Sequence, residues 1–364
     1  MDDLRVGVIG LGLRGGLGAL ADAPGRGSRV VALCDVDRSA IERAGAWYAG
    51  RPATFIDHRD MLDGCELDAV IVSTPDHTHE PIAVAALEAG KATYVEKPLA
   101  ITIEGCDHIL ETASRTGSRL YVGHNMRHMA FVQLLRDLVR KGAVGDVKTV
   151  WCRHFVGHGG DFYFRDWHAD RRNTTGLLLQ KGAHDIDVIH WLAGAPTRRV
   201  TAMGALTHFR PGGQAGLNAV VDVEDVSMVL LELENGVLAS YQQCHFTPDY
   251  WRNYTVIGSN GRLENFGDTG AGAVVRFWGH RTDYRGEGDK TVPVAERTGG
   301  HGGADEAIVA EFIRFARDGG PTLTSPVAAR DAVAAGVMAT RSLREGGRPF
   351  DVPPLAPALA AHFG

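Results

Sequence analysis

The sequence has few cysteines and no pairing pattern among them. There are five, at Cys34, Cys65, Cys106, Cys152 and Cys244. The number is odd and no two have Cys-x-x-Cys spacing, which argues against a disulfide framework or a zinc knuckle. No apolar run approaches the ~18 residues of a membrane-spanning helix. A basic excess is also missing, since 38 Lys and Arg face 44 Asp and Glu for a net charge of -6. Phosphate backbones reward a basic footprint, so nucleic acid and anionic membranes are poor partners for this surface. The first residues lack the basic-then-apolar order of a secretory signal. A reducing cytoplasm is therefore the expected compartment. There is no internal repeat, no low-complexity tract and no His-Glu-x-x-His.

What is present is a long globular chain. Its 364 residues, 44% hydrophobic and 23% charged, suggest two domains. Over residues 1–125, short β-rich runs alternate with helical patterns, as in a doubly wound parallel sheet. Strands are predicted at Arg5–Ile9, Val30–Cys34, Ala53–Phe55, Ala69–Ser73, Ala92–Val95 and Arg119–Val122. From 126 to 364 the pattern changes. A helix over Met129–Lys141 precedes β-type runs at Val147–Phe155, Arg199–Phe209, Asp225–Glu234, Val237–Phe246 and Tyr254–Ile257. Asn235-Gly236 predicts a type I′ hairpin turn, making this second sheet largely antiparallel. Helices are predicted over Ala183–Leu192, Asp305–Arg317 and Pro326–Arg344.

Gly10-Leu11-Gly12-Leu13-Arg14-Gly15 follows the first strand and opens a helix. In that context the glycines serve a sharp turn, a close approach to a pyrophosphate and tight helix–strand packing. The helix N-terminus adds N–H groups and a positive dipole end. Asp35 ends the second strand, placed to accept hydrogen bonds from ribose hydroxyls and to repel a 2′-phosphate. This favours NAD over NADP as cofactor, although Arg38 lies nearby. Ser73, Thr74 and Pro75 follow the fourth strand, where ligands of doubly wound sheets sit. His79 either approaches the nicotinamide or faces solvent at a helix start. Glu96-Lys97-Pro98 ends the fifth strand at the same edge. A lysine there can take a hydroxyl proton if its surroundings lower its pKa, and the Lys97–Pro98 bond is a candidate for cis geometry.

These motifs, with Gly123-His124-Asn125-Met126-Arg127 and Gly182-Ala183-His184-Asp185-Ile186-Asp187, make the chain resemble the Gfo/Idh/MocA family, which includes glucose–fructose oxidoreductase and inositol dehydrogenase. The resemblance implies an α/β protein. Its first domain would be an N-terminal Rossmann domain, 1–125. Its second, 126–364, would be a C-terminal α/β domain for substrate and oligomerisation, with a large, mostly antiparallel open sheet. It also implies a homodimer or homotetramer through that sheet, and a sugar, inositol or related polyol as substrate. His184 matches the family's catalytic histidine. Family members commonly carry Asp four residues earlier, where this chain has Gln180. Glutamine cannot accept a proton, but it can hydrogen-bond a hydroxyl. Lys97, His184 and Gln180 are thus the expected catalytic group, with Asn125 beside the nicotinamide.

The expected substrate contacts are Arg127, Trp167, His168, Lys181 and Asp187. Aromatics beside Arg and His suit a sugar pocket and equally suit a packed loop. The i,i+4 pairs His124/His128 and His154/His158 have the spacing of zinc ligands on a helix. However, the first opens a helix and the second spans a strand end, so no metal is expected. Two alternatives remain open: a glycosidase or lyase working through a transient keto-sugar, and a non-catalytic NAD-bound sensor.

Overall fold

The computed structural model describes residues 2–157 and 159–363, so His158 of the second histidine pair lies outside the described residues. The chain divides into two compact units. The first comprises Met1–Asn125, Asp305–Arg330 and Leu355–Gly364. The second comprises Met126–Ala304 and Asp331–Pro354. The chain leaves the first unit after Asn125 and returns to it twice, at Asp305–Arg330 and Leu355–Gly364.

Among the described residues of the first unit, six strands form one sheet in the order β3-β2-β1-β4-β5-β6. They are β1 (Leu4–Ile9), β2 (Ser28–Cys34), β3 (Ala53–Phe55), β4 (Ala69–Val72), β5 (Ala92–Glu96) and β6 (Leu120–Gly123). All pairings are parallel. Every residue of β4, β5 and β6 is buried, because helices cover both faces of a parallel sheet. The order reverses between β1 and β4, so the loops after Ile9 and Val72 open at the switch point. Asp37, Asp57 and Thr102 cap helices by accepting from the N–H groups of Ser39, Arg59 and Gly105. The helix Ala304–Asp318 contributes Ile308, Val309 and Phe312 to the core formed by Val6, Val8 and Leu33. Phe312 is fully buried and meets Tyr94 edge-on at 5.5 Å.

The second unit is built on a sheet of nine described strands, ordered β14-β13-β12-β11-β7-β10-β9-β8-β15. They are β7 (Val147–Val156), β8 (Thr197–Ala205), β9 (Val226–Leu233), β10 (Leu238–Cys244), β11 (Tyr250–Gly258), β12 (Gly261–Phe266), β13 (Val274–Trp278), β14 (Lys290–Pro293) and β15 (Phe350–Asp351). The sheet is antiparallel except where β7 meets β10. A parallel pair needs a crossover, and the helix Leu177–Ala193 supplies it between β7 and β8.

Three local expectations are corrected. That helix begins at Leu177, six residues before Ala183, since Gly176 ends the preceding segment and Leu177 to Leu179 are all buried. β8 stops at Ala205, and Phe209 beyond it stacks on Phe164 with centroids 4.1 Å apart. At the hairpin only Gly236 has positive φ, 82°. The turn is therefore not type I′, which needs positive φ at both central residues. Asn235 instead accepts from the Val237 N–H at 3.2 Å and donates to the Ala193 carbonyl at 3.0 Å.

One face of the second sheet packs on the helix Leu177–Ala193. The other presents Trp151, Met203, Met228, Leu230 and Leu238, each at least half exposed, on four adjacent strands. No helix among the described residues is long and apolar enough to cross a membrane.

Candidate active site

The side chains singled out in the sequence fall into two sets, one in each unit. In the first, the turn after β1 is fixed from three sides. Gly10 N donates to the Cys34 carbonyl at 2.9 Å. The Ser73 hydroxyl donates to the Gly10 carbonyl at 2.8 Å. Asp35 accepts from Leu11 N at 2.7 Å and, through its other oxygen, from Asp37 N at 2.9 Å. Gly10 has φ of 90°, and a Cβ there would lie 2.6 Å from the Ser73 carbonyl carbon. A Cβ on Gly15 would lie 2.6 Å from Leu11 Cα, whereas one on Gly12 would meet nothing within 4 Å. Crowding at the outer glycines and open space at the middle one fit a pyrophosphate resting over Gly12. Leu13 points to solvent, 83% exposed.

The loops after β4 and β5 are tied together by His79. Its ring nitrogens contact the Pro98 carbonyl at 2.7 Å and the Thr74 carbonyl at 2.9 Å. The Thr78 and Thr74 hydroxyls bond at 2.7 Å. Burial lowers the proton affinity of His79, against the pull of the two carbonyls. His79 is wholly buried, so it does not face solvent at the helix start. The Lys97–Pro98 bond is cis.

Glu96, beside Lys97, is the centre of a charged network. Its Oε1 accepts from Arg14 Nε at 3.0 Å, from Arg14 Nη2 at 2.8 Å and from the Tyr94 hydroxyl at 3.3 Å. Its Oε2 accepts from the Lys97 backbone N–H at 3.0 Å. Arg14 also donates to both oxygens of Asp305, at 2.9 and 3.0 Å. Asn125 Nδ2 donates to Asp305 Oδ1 at 3.0 Å. Burial would raise the Glu96 carboxyl, but Arg14 and Lys97 outweigh it and hold it below the usual range.

In the second unit, Gln180 and His184 stand four residues apart on one face of the crossover helix. Gln180 is buried and His184 half-buried. Lys181 donates to the Tyr163 hydroxyl, its ammonium 4.1 Å from that ring's centroid. His168 stacks on Trp167 at 3.7 Å and contacts Asp166 through Nδ1. Arg127 and Asp187, expected separately as substrate contacts, meet each other, Nε to Oδ2 at 2.8 Å.

Sequence reasoning passes over a buried group behind this helix. Asp185 contacts His154 Nδ1 at 3.0 Å, Arg252 Nε at 3.3 Å and the Tyr254 hydroxyl. Burial would raise its carboxyl, but Arg252 and His154 hold it well below the usual range. Burial and Arg252 push His154 down to about 4. His245, fully buried against Tyr163 and Phe164, is likewise pushed far down by burial and Lys181. Asp185 sits inside the motif that runs from Gly182 to Asp187. His154, noted in the sequence only for its i,i+4 spacing to His158, comes from β7, and His245 and Arg252 come from a loop and a strand with no local signature. Among the described residues, no group of three or more His, Cys, Asp or Glu is arranged to hold a metal.

Comparison with known proteins agrees with this architecture. Residues 4–124 match the model of an oxidoreductase family with an NAD-binding Rossmann fold. Residues 132–264 match the GFO/IDH/MocA C-terminal domain. Inositol 2-dehydrogenase 1 of Saccharopolyspora erythraea is 32% identical over 243 residues, 65% of this chain and 68% of that protein. Inositol 2-dehydrogenase of Salmonella typhimurium is 28% identical over 279 residues, 75% of this chain and 76% of that protein. A solved levoglucosan dehydrogenase, in complex with NADH and levoglucosan, matches in fold with a TM-score of 0.82. It is 21% identical, over 97% of this chain and 100% of its own. With two family models matched in order and a 32% identical relative covered over two thirds of its length, the chain belongs to the GFO/IDH/MocA family of oxidoreductases.

Proposed function

We propose that this protein oxidises a secondary hydroxyl of an inositol, sugar or related polyol with NAD. The carrying observation is the cradle at the strand ends: open space at Gly12, Asp35 beside the turn, and Lys97 following β5. The names of the inositol 2-dehydrogenase relatives support the substrate class. Hydride acceptance is the chemistry the coenzyme supplies when bound.

The chain's own residues do the rest. Asp35 uses one lone pair on each oxygen for Leu11 and Asp37. A carboxylate has about four acceptor sites, so two remain for ribose hydroxyls, and its charge disfavours a 2′-phosphate. Ser73, Thr74 and Pro75 shape the floor beside Gly10. Lys97 takes the proton of the reacting hydroxyl, with His184 of the second unit as the alternative acid–base group. Gln180 hydrogen-bonds a substrate hydroxyl without taking a proton. Lys181, Trp167 and His168 supply cation and aromatic surface for a hydroxylated ligand, with Arg127 and Asp187 in the same unit held as an ion pair. The exposed apolar row on the second sheet supports a homodimer or homotetramer built through that face. Five free thiols favour a reducing, cytoplasmic setting.

The test is absorbance at 340 nm with NAD and a panel of inositols, aldoses and their acid derivatives. NADH should accumulate with at least one, and Lys97→Ala should lower kcat by about 100-fold or more. Product formation without NADH would favour the transient keto-sugar route. Full turnover by Lys97→Ala would remove that lysine from the chemistry.

A further inference from the structure

The fingerprint arginine does more than line a turn. Arg14 stands between two buried carboxylates, Glu96 and Asp305, which are 4% and 7% exposed. Its fork spends Nε and Nη2 on Glu96 and Nη1 and Nη2 on Asp305. Glu96 in turn holds the backbone N–H of Lys97. Arg14 pairs with both carboxylates, and the Lys97 charge also acts on Glu96. A lysine that must lose its proton needs such pairing, because an uncompensated carboxylate beside it favours the ammonium form.

We propose that Arg14 is a positioning residue that governs the protonation of Lys97 by taking up the charge of Glu96. The residue that shapes the coenzyme turn would thereby also tune the base. This rests on the reading of Lys97 as the proton acceptor. Several groups among the described residues act on Glu96. Tyr94 and Lys97 lie on or next to its own strand, and Arg14 comes from the glycine turn and ties it to Asp305 of the helix Ala304–Asp318. His79 of the helix His79–Glu88 also feels its charge. Burial works against charge on Arg14, but Glu96 and Asp305 keep it firmly protonated. It is therefore a fixed cation at any working pH.

The experiment follows the Lys97 amine directly in the coenzyme-free protein. Its rate of modification by an amine reagent is measured against pH by peptide mass spectrometry, beside the pH profile of kcat/KM. Arg14→Met should raise the apparent pKa of Lys97 by about one unit. Glu96→Gln, nearly isosteric, should lower it by a similar amount. In the E96Q background, removing Arg14 should have at most half its original effect, since the charge it acts through is gone. Arg14→Lys should restore part of the shift.

An unmoved Lys97 titration in well-folded R14M would overturn the proposal, as would an equal shift with and without Glu96. If R14M does not fold, the sign of the E96Q shift decides, and an unmoved or upward shift rejects the idea. A dead Lys97→Ala with an unmoved titration in R14M sinks this inference alone. A fully active Lys97→Ala sinks the assignment of the base.

Discussion

Arg127 and Asp187 form a bidentate ion pair, Nε to Oδ2 at 2.8 Å and Nη2 to Oδ1 at 2.6 Å, with side chains 7% and 1% exposed. The guanidinium also lies 5.2 Å from the centroid of Trp191. Breaking a buried pair from one side leaves an uncompensated charge. Asp187→Ala should therefore cost about 3–5 kcal/mol, read from urea unfolding. Replacing both partners with apolar residues of similar volume should cost much less. Equal losses in the single and double variants would show that the pair is not the source of the effect.

Acid should loosen the second unit through His154. Its folded pKa, about 4, lies below the ordinary 6.5. The unfolded chain therefore binds the proton first, and stability falls as pH drops from about 6.5 to about 4. The full shift corresponds to about 3 kcal/mol. Asp185, also depressed, loses its contribution only at lower pH, below the usual carboxylate value. Unfolding free energies at pH 7.5 and pH 5 should differ less in His154→Gln than in the parent. An unchanged slope would assign the pH dependence to other groups.

Coenzyme choice should respond to Asp35. Asp35→Ser removes the charge facing a 2′-phosphate and loosens the Leu11 contact. The ratio of kcat/KM for NAD over NADP should fall by about 10- to 100-fold. Initial rates with both coenzymes measure it, and an unaltered ratio would place discrimination elsewhere, with Arg38 the first residue to examine.

Charge on the outer sheet face should change the assembly state. Leu230 and Met228 are 65% and 60% exposed on the same strand and the same face. Leu230→Glu with Met228→Lys should reduce the mass seen by light scattering to that of one chain, with the fold intact by circular dichroism. An unchanged oligomer mass would exclude this face.

Much of the first unit is readable in the sequence because its signals are local. Ala69-Val70-Ile71-Val72 is apolar throughout, and a strand buried on both faces requires that. Gly10 to Gly15 and Asp35 sit within one strand–turn–helix–strand unit. The partners of Arg14 are only half readable: Glu96 lies in the Glu-Lys-Pro motif, whereas Asp305 is 291 residues away. β12, β13 and β14 escape sequence reasoning because Gly-rich loops interrupt them and their burial is partial. The start at Leu177 is hidden because three successive leucines carry no helical period. Asn235-Gly236 marks the hairpin correctly but not its turn type, since only the glycine adopts the left-handed conformation.

The return of the helix Ala304–Asp318 to the first unit bears on how this enzyme could be taken apart. Phe312, Ile308 and Val309 complete a core begun by Val6 and Val8, so residues 1–125 in isolation would bare an oily flank. A graft of the nucleotide half onto another partner has to carry 305–330 with it. During synthesis, too, that half stays unfinished until most of the other has left the ribosome.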